Sequence, residues 1–125
     1  MDEIQCETLE NELRKNTEIL ESTFEQYNLK ILSVAYSTSL PKGDELTTWL
    51  EMISIDGDKI KLPKSILAHS LKIKINFYQN DRLLCSTSTT VFPEQFNGYD
   101  TEELHISFCG LITRATKARI FATLG

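Results

Sequence analysis

Apolar and polar side chains alternate without a break through Leu71-Lys72-Ile73-Lys74-Ile75-Asn76-Phe77-Tyr78. Successive side chains of a β-strand point to opposite faces of a sheet, so the leucine, the two isoleucines and the phenylalanine share one face. The lysines, the asparagine and the tyrosine share the other face, which suits contact with solvent. The stretch therefore predicts a strand that is buried on one side only, and such strands are typical of antiparallel sheets.

Weaker versions of the same pattern occur on both sides of this strand. The predicted strands cover residues 29–38, 46–55, 59–62, 71–78, 82–92, 104–108 and 118–122. Asp56-Gly57 is typical of a tight hairpin turn, because this dipeptide readily adopts positive φ angles. The polar but β-prone run Ser86-Thr87-Ser88-Thr89-Thr90 indicates a strand at the edge of a sheet.

The order and spacing of these strands predict the fold class. No pattern of helix length separates them, which argues against parallel βαβ units. About seven antiparallel strands in about one hundred residues favour a mainly β fold, namely an immunoglobulin-like β-sandwich with one N-terminal α-helix. A small β-barrel is the alternative.

Residues 1–28 differ from the rest of the chain in charge and in period. They carry eight acidic residues against Arg14 and Lys15, a net charge of −6, which leaves +1 for residues 29–125. The apolar residues at helical spacing in this segment are Leu9, Leu13, Leu20, Phe24 and Tyr27. Asn28 is a suitable residue for ending a helix. We therefore expect an amphipathic acidic helix over residues 1–28 and a β-sandwich domain over residues 29–125.

The apolar stripe of this helix needs a surface to cover it. A short acidic helix is unstable alone in water, so the stripe is expected to pack on the chain's own β-domain or on a partner. Self-association as a coiled coil is an alternative, because the segment also fits a heptad pattern with the polar Asn16 at a core position. A frayed tail is the third possibility.

Composition excludes some classes of protein. A chain of 125 residues is long enough for one domain and short for two. A net charge of −5 argues against nucleic-acid binding, which depends on clustered Lys and Arg. There is no apolar run of membrane-spanning length, so no membrane partner is expected. The acidic start, Met1-Asp2-Glu3-Ile4, lacks the pattern of a signal peptide and predicts a cytoplasmic location.

Motifs for catalysis, cofactors or metals are weak. The five glycines are scattered and form no nucleotide-binding loop. A Cys–His nucleophile from His105 and Cys109 is disfavoured, since four residues along a strand span about 13 Å. A zinc site from His69, His105, Cys85 and Cys109 lacks paired ligand spacing. Acidic residues in turns permit calcium binding but usually serve turn geometry. We therefore predict a protein that is not an enzyme, with no catalytic, cofactor-binding or metal-ligating residue.

The expected role is protein–protein interaction or assembly, with self-association included. The predicted partner-binding residues are Leu9, Leu13, Leu20 and Phe24 on the helix, followed by Phe96 and Tyr99 in the longest loop. The loop aromatics are expected to plug the open end of the sandwich, with recognition as the alternative. Arg114, Lys117 and Arg119 form a basic cluster that is either a solvated face or a dock for an acidic helix. The runner-up function is a ligand-binding β-sandwich that holds a carbohydrate or small molecule with the loop aromatics.

The run from Leu71 to Leu84 resembles bacterial immunoglobulin-like modules of the FxLYD kind. In those modules an alternating strand ends in an aromatic pair, and a polar turn, a second strand and a glycine-containing loop follow. The residues that carry the resemblance are Phe77-Tyr78, Asn80-Asp81, Leu83-Leu84 and Phe96-Asn97-Gly98-Tyr99. Arg82 stands where those modules usually have a glycine. The resemblance covers about residues 29–124, and it implies an immunoglobulin-like sandwich without catalytic residues.

Overall fold

The structure of the protein, a computed structural model, describes residues 3–38, 45–57, 59–63, 70–107 and 112–125. Its helices and strands are α1 (Glu3–Lys15), β1 (Thr17–Ile19), α2 (Glu21–Glu25), β2 (Leu29–Thr38), β3 (Glu45–Ser54), β4 (Leu71–Gln79), β5 (Arg82–Val91), β6 (Tyr99–Ser107) and β7 (Lys117–Leu124). Short 3₁₀ turns cover Pro93–Gln95 and Ile112–Arg114. The predicted mainly β fold with an N-terminal helix is confirmed.

The strands form two sheets that share one hydrophobic core. Sheet A has the order β1-β7-β4-β5, and sheet B has the order β2-β3-β6. The β1–β7 pair is parallel, and the other pairs are antiparallel. Core residues come from both sheets and from the helices, and they include Leu13, Phe24, Leu50, Met52 and Phe77. A two-sheet β-sandwich is therefore the observed architecture.

The alternating stretch of residues 71–78 lies on an inner strand of sheet A. In β4, Leu71, Ile73, Ile75 and Phe77 are fully buried, and the residues between them are half-buried. Ile75 pairs with Ile120 of β7 on one side and with Thr87 of β5 on the other. The predicted one-sided burial of this strand is confirmed.

The strand order gives the immunoglobulin-like prediction no support beyond the two-sheet architecture. An immunoglobulin constant-type sandwich groups its first, second, fourth and fifth strands in one sheet and the other three in the second sheet. Among the residues that the structure describes, the second, third and sixth strands form one sheet, and the remaining four form the other.

The prediction of one continuous helix over residues 1–28 is wrong in extent. α1 ends at Lys15, and the Asn16 amide donates to the Glu12 carbonyl at 3.0 Å. Thr17–Ile19 then leaves the helical path and pairs with Ala118–Ile120 along the edge of sheet A. Thr17 and Ile19 are β-branched, so they lose little in an extended backbone, and β7 offers them backbone hydrogen bonds. The heptad pattern is broken at this point.

α1 packs on the β-domain of its own chain, which is the first of the arrangements expected for its apolar stripe. Leu9 and Leu13 are buried in the common core, and α1 contacts both β2 and β7. These two strands belong to different sheets, so the helix covers the gap between the sheets along one side of the sandwich. Glu10 links α1 to the end of β2, because its carboxylate accepts a hydrogen bond from the Thr38 backbone N–H at 2.9 Å.

A buried hydroxyl pair holds the junction of α1 and β1 against sheet B. The Thr17 hydroxyl donates to the Leu13 carbonyl at 2.6 Å, which leaves the Tyr36 hydroxyl as donor in its 2.7 Å contact with Thr17. Burial raises the pKa of Tyr36 to about 12, so this donor stays protonated over the whole physiological range. The contact bridges the end of the helix and the second strand.

Two further strand predictions change in the structure. Residues 59–62 are not a strand; their backbone follows the N-terminal segment, with the Lys61 N–H donating to the Tyr27 carbonyl at 3.0 Å. β6 begins at Tyr99, five residues before its predicted start, and so shortens the predicted loop. The described part of the chain still has seven strands, as predicted, because β1 is added and the predicted 59–62 strand is not formed.

Candidate functional site

The outer face of sheet B carries two large exposed aromatic side chains. Trp49 of β3 is 45% exposed and Tyr99 of β6 is 52% exposed. Trp49 points outward because Leu50 and Met52, which alternate with it, are buried in the core, and Tyr99 shares its face because it pairs with Ile53. Ile53 pairs with Tyr99 in the ladder and adds apolar surface beside it. We call this outer surface, from Trp49 to Tyr99, the aromatic face.

Acidic side chains lie between and beside Trp49 and Tyr99. The Tyr99 hydroxyl donates a hydrogen bond to the Glu51 carboxylate, which also accepts from the Ser33 hydroxyl at 3.1 Å. This hydrogen bond, followed by partial burial and the charge of Glu51, raises the pKa of Tyr99. Glu103 pairs with Trp49 in the ladder and so lies on the same face. Lys30 pairs with Ile53 and adds one positive charge, so the face stays negative overall, and the hydrogen bond to Glu51 restrains the Tyr99 ring.

His105, the histidine considered for catalysis, lies at the far end of this same face. Its Nδ1 atom contacts Glu45, its Nε2 atom lies 3.3 Å from Glu103, and Nδ1 is also 3.1 Å from the Thr47 hydroxyl. Its side chain is half exposed on an open sheet surface rather than in a cleft. Both ring nitrogens are taken by groups of the same chain, so this histidine lacks the geometry of a general base. Cys109 lies outside the described residues.

The proposed zinc ligands do not come together in the structure. His69 and Cys109 fall outside the described residues, and Cys85 is a half-buried side chain packed against the core. Among the residues that the structure covers, no group of three or more His, Cys, Asp or Glu side chains is placed to hold a metal ion.

Most of the predicted partner-binding residues are buried inside the chain itself. Leu9, Leu13, Phe24 and Phe96 belong to the core, and Leu20 is half-buried beside β7. Phe96 is 4% exposed, whereas Tyr99 is the one predicted contact residue that is largely exposed. Trp49 is absent from the predicted partner-binding residues, although the sequence offers Tyr36 and Trp49 as a second aromatic set and its alternation with Leu50 and Met52 gives β3 two partly apolar faces.

A groove opens between α2 and the start of β2. It has a volume of about 300 Å³, at the lower limit of sites that hold small molecules. Its apolar lining comes from Ile19, Phe24, Leu29, Ile31 and Ile55. Glu21, Glu25 and Lys30 supply the charged part of the lining. The loop aromatics of the ligand-binding alternative do not line this groove; Phe96 instead lines a wider and more open depression of about 610 Å³, together with Lys59, Ile60, Pro93, Glu94 and Asn97.

The outer face of sheet A is basic. The predicted basic cluster is formed in part: Lys117 and Arg119 of β7 share this face, and both lie 3.4 Å from Glu18 of β1. Partial desolvation of Glu18 opposes ionisation, but the charges and hydrogen bonds of Arg119 and Lys117 outweigh it and lower the pKa of Glu18. Both cations also lie over the Tyr78 ring, at 5.9 Å and 5.3 Å from its centre. Arg114 is exposed in a separate 3₁₀ turn.

A partly buried carboxyl group lies on the inner side of β6. Glu102 pairs in the ladder with Leu50, whose side chain is buried in the core, so it faces the space between the sheets. Burial first, then a hydrogen bond with Asp100 and the charge of Asp100, raise the pKa of Glu102 to about 7. The folded chain therefore binds a proton at Glu102 more tightly than the unfolded chain does.

This raised pKa predicts a stability that falls as the pH rises. Glu102 contributes fully below its ordinary pKa of 4.5, and the contribution is lost as the pH rises through about 7. Because solvent reaches part of the group, we expect a loss of about 1–2 kcal/mol between pH 5 and pH 8. Urea unfolding of the wild type and of Glu102→Gln across this range measures it. The difference between the two proteins should change with pH by that amount, and parallel curves would contradict the prediction.

Comparisons with known proteins do not assign the chain to a family. No protein-family model matches it, and no curated protein or solved structure matches it at a significant level. The resemblance to FxLYD modules therefore stays a prediction. Within the described residues, no helix is both long enough and apolar enough to cross a membrane.

Proposed function

We propose that the protein is a non-catalytic interaction module that binds a protein partner through the aromatic face. The observation that carries this proposal is the exposure of Trp49 and Tyr99 on the same outer surface of one sheet, on neighbouring strands and four register positions, about 13 Å, apart. Exposed apolar surface that is rimmed by polar groups is a feature of protein interaction sites. In protein interfaces, tryptophan and tyrosine are the residues that most often supply the binding energy.

The backbone under the aromatic face favours binding at a low entropic cost. Trp49 lies on the central strand of sheet B, between β2 and β6, so its position is fixed from both sides. The hydrogen bond to Glu51 restricts Tyr99 in the same way. Side chains that are already ordered lose little freedom on association, so more of the buried area contributes to affinity.

The charges around the face suggest the chemistry of the partner. Glu45, Glu51 and Glu103 all lie on this outer surface, where alternation places them with Trp49. Complementary charges speed association and select between partners. We therefore expect a partner surface with exposed Lys or Arg around an apolar centre.

This proposal moves the contact surface away from the helix. The earlier expectation placed the main contact on Leu9, Leu13, Leu20 and Phe24, but that stripe covers the chain's own core. A partner would have to displace α1 to reach it. Trp49 and Tyr99 are exposed without any rearrangement of the described residues.

A ligand-binding role is the second candidate, and the groove between α2 and β2 favours it. The groove combines apolar walls with Lys30 and two glutamates, a lining that suits a small amphipathic molecule. An immunoglobulin-like origin of the sandwich, of the FxLYD kind, also belongs among the proposals.

The aromatic face is tested by cross-linking from its centre. We would place a photo-reactive phenylalanine analogue at position 49 or 99 and, as controls, at Leu83 or Phe92, which are similarly exposed. Activation in cells that produce the protein should join one partner at positions 49 and 99, and mass spectrometry identifies it. Equal adducts at the control positions, or none at all, would contradict the proposal. If the partner is a second copy, light scattering should show a mass above that of the monomer.

Trp49 is the only tryptophan of the chain, so its fluorescence reports directly on the face. Titration with the identified partner should shift the Trp49 emission to shorter wavelength as water is excluded. Tyr99→Ala should weaken binding at least tenfold, about 1.4 kcal/mol or more, as expected for a central aromatic contact. Phe92→Ala removes an equally large exposed aromatic side chain elsewhere and should leave the affinity unchanged.

A further inference from the structure

The outer face of sheet A concentrates positive charge in a chain that is acidic overall. Its charged residues are Lys72 and Lys74 of β4, Lys117 and Arg119 of β7, and Glu18 of β1. These give the face a net charge of +3, whereas the whole chain has −5. The remaining surface must therefore be strongly negative. We call this outer surface of sheet A the basic face.

Two of these four cations make no ion pair with any residue that the structure describes. Lys117 and Arg119 hold Glu18 and lie over Tyr78, so they contribute to the packing of β1 and β4. Lys72 and Lys74, in contrast, make no ion pair with any of the described residues. Two lysines on one strand face repel each other, and the fold gains nothing from that repulsion.

Hydrogen-bond donors line the same face beside the two lysines. On β5, Ser88 pairs with Lys74 and Thr90 pairs with Lys72, so their hydroxyl groups point to the same side. Asn76 continues the row along β4. Lys72 and Lys74 are two residues apart on a strand, a separation of about 7 Å. That spacing equals the distance between alternate side chains of a second extended chain.

We propose that the basic face binds an acidic segment of a partner polypeptide in an extended conformation. Carboxylates at alternate positions of that segment meet Lys72 and Lys74, and the hydroxyl groups of Ser88 and Thr90 donate to the remaining oxygens. The proposal concerns the face opposite the aromatic face and does not depend on it. It gives the module a second surface, with the opposite preference for charge.

An acidic peptide fits the basic face better than a nucleic acid does. A polynucleotide longer than the face runs onto the acidic surface around it, where its phosphates are repelled. Single-stranded nucleic acids also need free aromatic rings on which bases stack. The Tyr78 ring is already covered by Lys117 and Arg119, and the Phe121 ring, which lies beside Lys74 on this face, is half-buried. A short segment ends within the basic face and meets neither obstacle.

The test titrates the full chain into a fluorescein-labelled octapeptide of alternating Glu and Thr. Fluorescence anisotropy at low salt measures the binding. Lys72→Glu/Lys74→Glu should weaken binding at least tenfold. Lys59→Glu/Lys61→Glu is the matched control, because it reverses two exposed lysines with the same spacing outside the sheet. It should change the affinity less than about threefold through general electrostatics. Thermal unfolding verifies that both variants are folded.

Several outcomes would overturn the proposal. Equal weakening by the two double variants would mean that overall charge, not the basic face, attracts the peptide. Tighter binding of an eight-residue thymidine oligonucleotide would make nucleic acid the occupant. The absence of saturable binding would remove the site altogether. The Trp49 emission should not shift when the peptide binds, since Trp49 lies on the other sheet, and a shift would place the peptide on the aromatic face instead.

Discussion

Leu13→Ala lowers the free energy of unfolding by about 3 kcal/mol, whereas Ile4→Ala on the same helix changes it by less than about 0.5 kcal/mol. The two side chains differ in burial, since Leu13 is 0% exposed and Ile4 is 75% exposed. Removing three carbons at position 13 leaves a cavity between α1 and the two sheets, and the surrounding strands cannot collapse to fill it. Alanine is also the best helix former, so helix propensity does not explain the loss.

Urea unfolding followed by circular dichroism measures both variants. A large effect at position 13 and a small one at position 4 show that the apolar stripe stabilises the monomer. Equal and small effects would mean that α1 is detached in solution, and the stripe would again be available to a partner. Light scattering on the wild type separates that case from a dimer in which both helices are buried.

Assembly through α1 has a large cost in folding free energy, which the amphipathic pattern alone does not reveal. A coiled coil through Leu9 and Leu13 needs both side chains to leave the core, and each buried leucine contributes about 2–5 kcal/mol to folding. A domain of this size has only about 5–15 kcal/mol of total stability. Binding on the aromatic face has no such cost, which is the energetic reason for placing the contact there.

The parts of the fold that the sequence predicts are those with a strict local period. The alternation through Leu71 and Phe77 defines β4, and the hydrophobic spacing of Leu9 and Leu13 defines the buried side of α1. In both elements a single hydrophobic period repeats along the segment, and the buried face follows from that period. No tertiary information is needed to recognise such elements.

The elements that the sequence does not predict depend on distant residues. Thr17–Ile19 becomes a strand only because the edge of β7, about one hundred residues later, offers it a parallel ladder. Residues 59–62 fail to become a strand because their backbone is held by Tyr27 instead. A three-residue strand carries too short a pattern to compete with the helical spacing around it.

The candidate site is hard to predict for a similar reason. Trp49 lies on a strand whose two faces are both apolar, which is equally typical of an inner strand covered on both sides. Only the arrangement of the sheets shows that the Leu50 side is covered and the Trp49 side is open. Exposed binding residues and core residues have the same chemistry, so composition alone cannot separate them.

Asn28 has a larger structural role than the sequence predicts. It was expected only to end a helix, but it adopts a positive φ of 67° and is almost fully buried. Its side-chain amide donates to the Asp56 and Lys59 carbonyls, and its side-chain oxygen accepts from the Asp56 N–H at 2.9 Å. Its own carbonyl accepts from the Ile55 N–H at 3.0 Å. The side chain thus joins the N-terminal segment to the turn after β3.

Asn28→Ala is therefore expected to destabilise the protein by about 3–4 kcal/mol. Three hydrogen bonds of about 1 kcal/mol each are lost, and buried partners are left unpaired. Alanine also tolerates the left-handed conformation poorly, at a cost of about 1 kcal/mol. Asn28→Gly removes the same hydrogen bonds without that strain, so it should be less harmful than alanine by about 1 kcal/mol. Urea unfolding of both variants measures the difference, and equal losses would show that the strain at position 28 is negligible.

Asn28→Asp separates hydrogen bonding from shape, because the two side chains have nearly the same size. A carboxylate still accepts from the Asp56 N–H, but it presents a negative charge instead of a donor to the carbonyls of Asp56 and Lys59. Protonation restores one donor, so the variant should regain part of its stability as the pH falls towards about 4, unlike Asn28→Ala. A destabilisation of Asn28→Asp that does not change with pH would mean that the two carbonyls do not depend on the Asn28 amide. The segment after β3 would then be held by the Tyr27 and residue 28 backbone carbonyls, by the remaining bond from the Asp56 N–H and by the burial of Ile60.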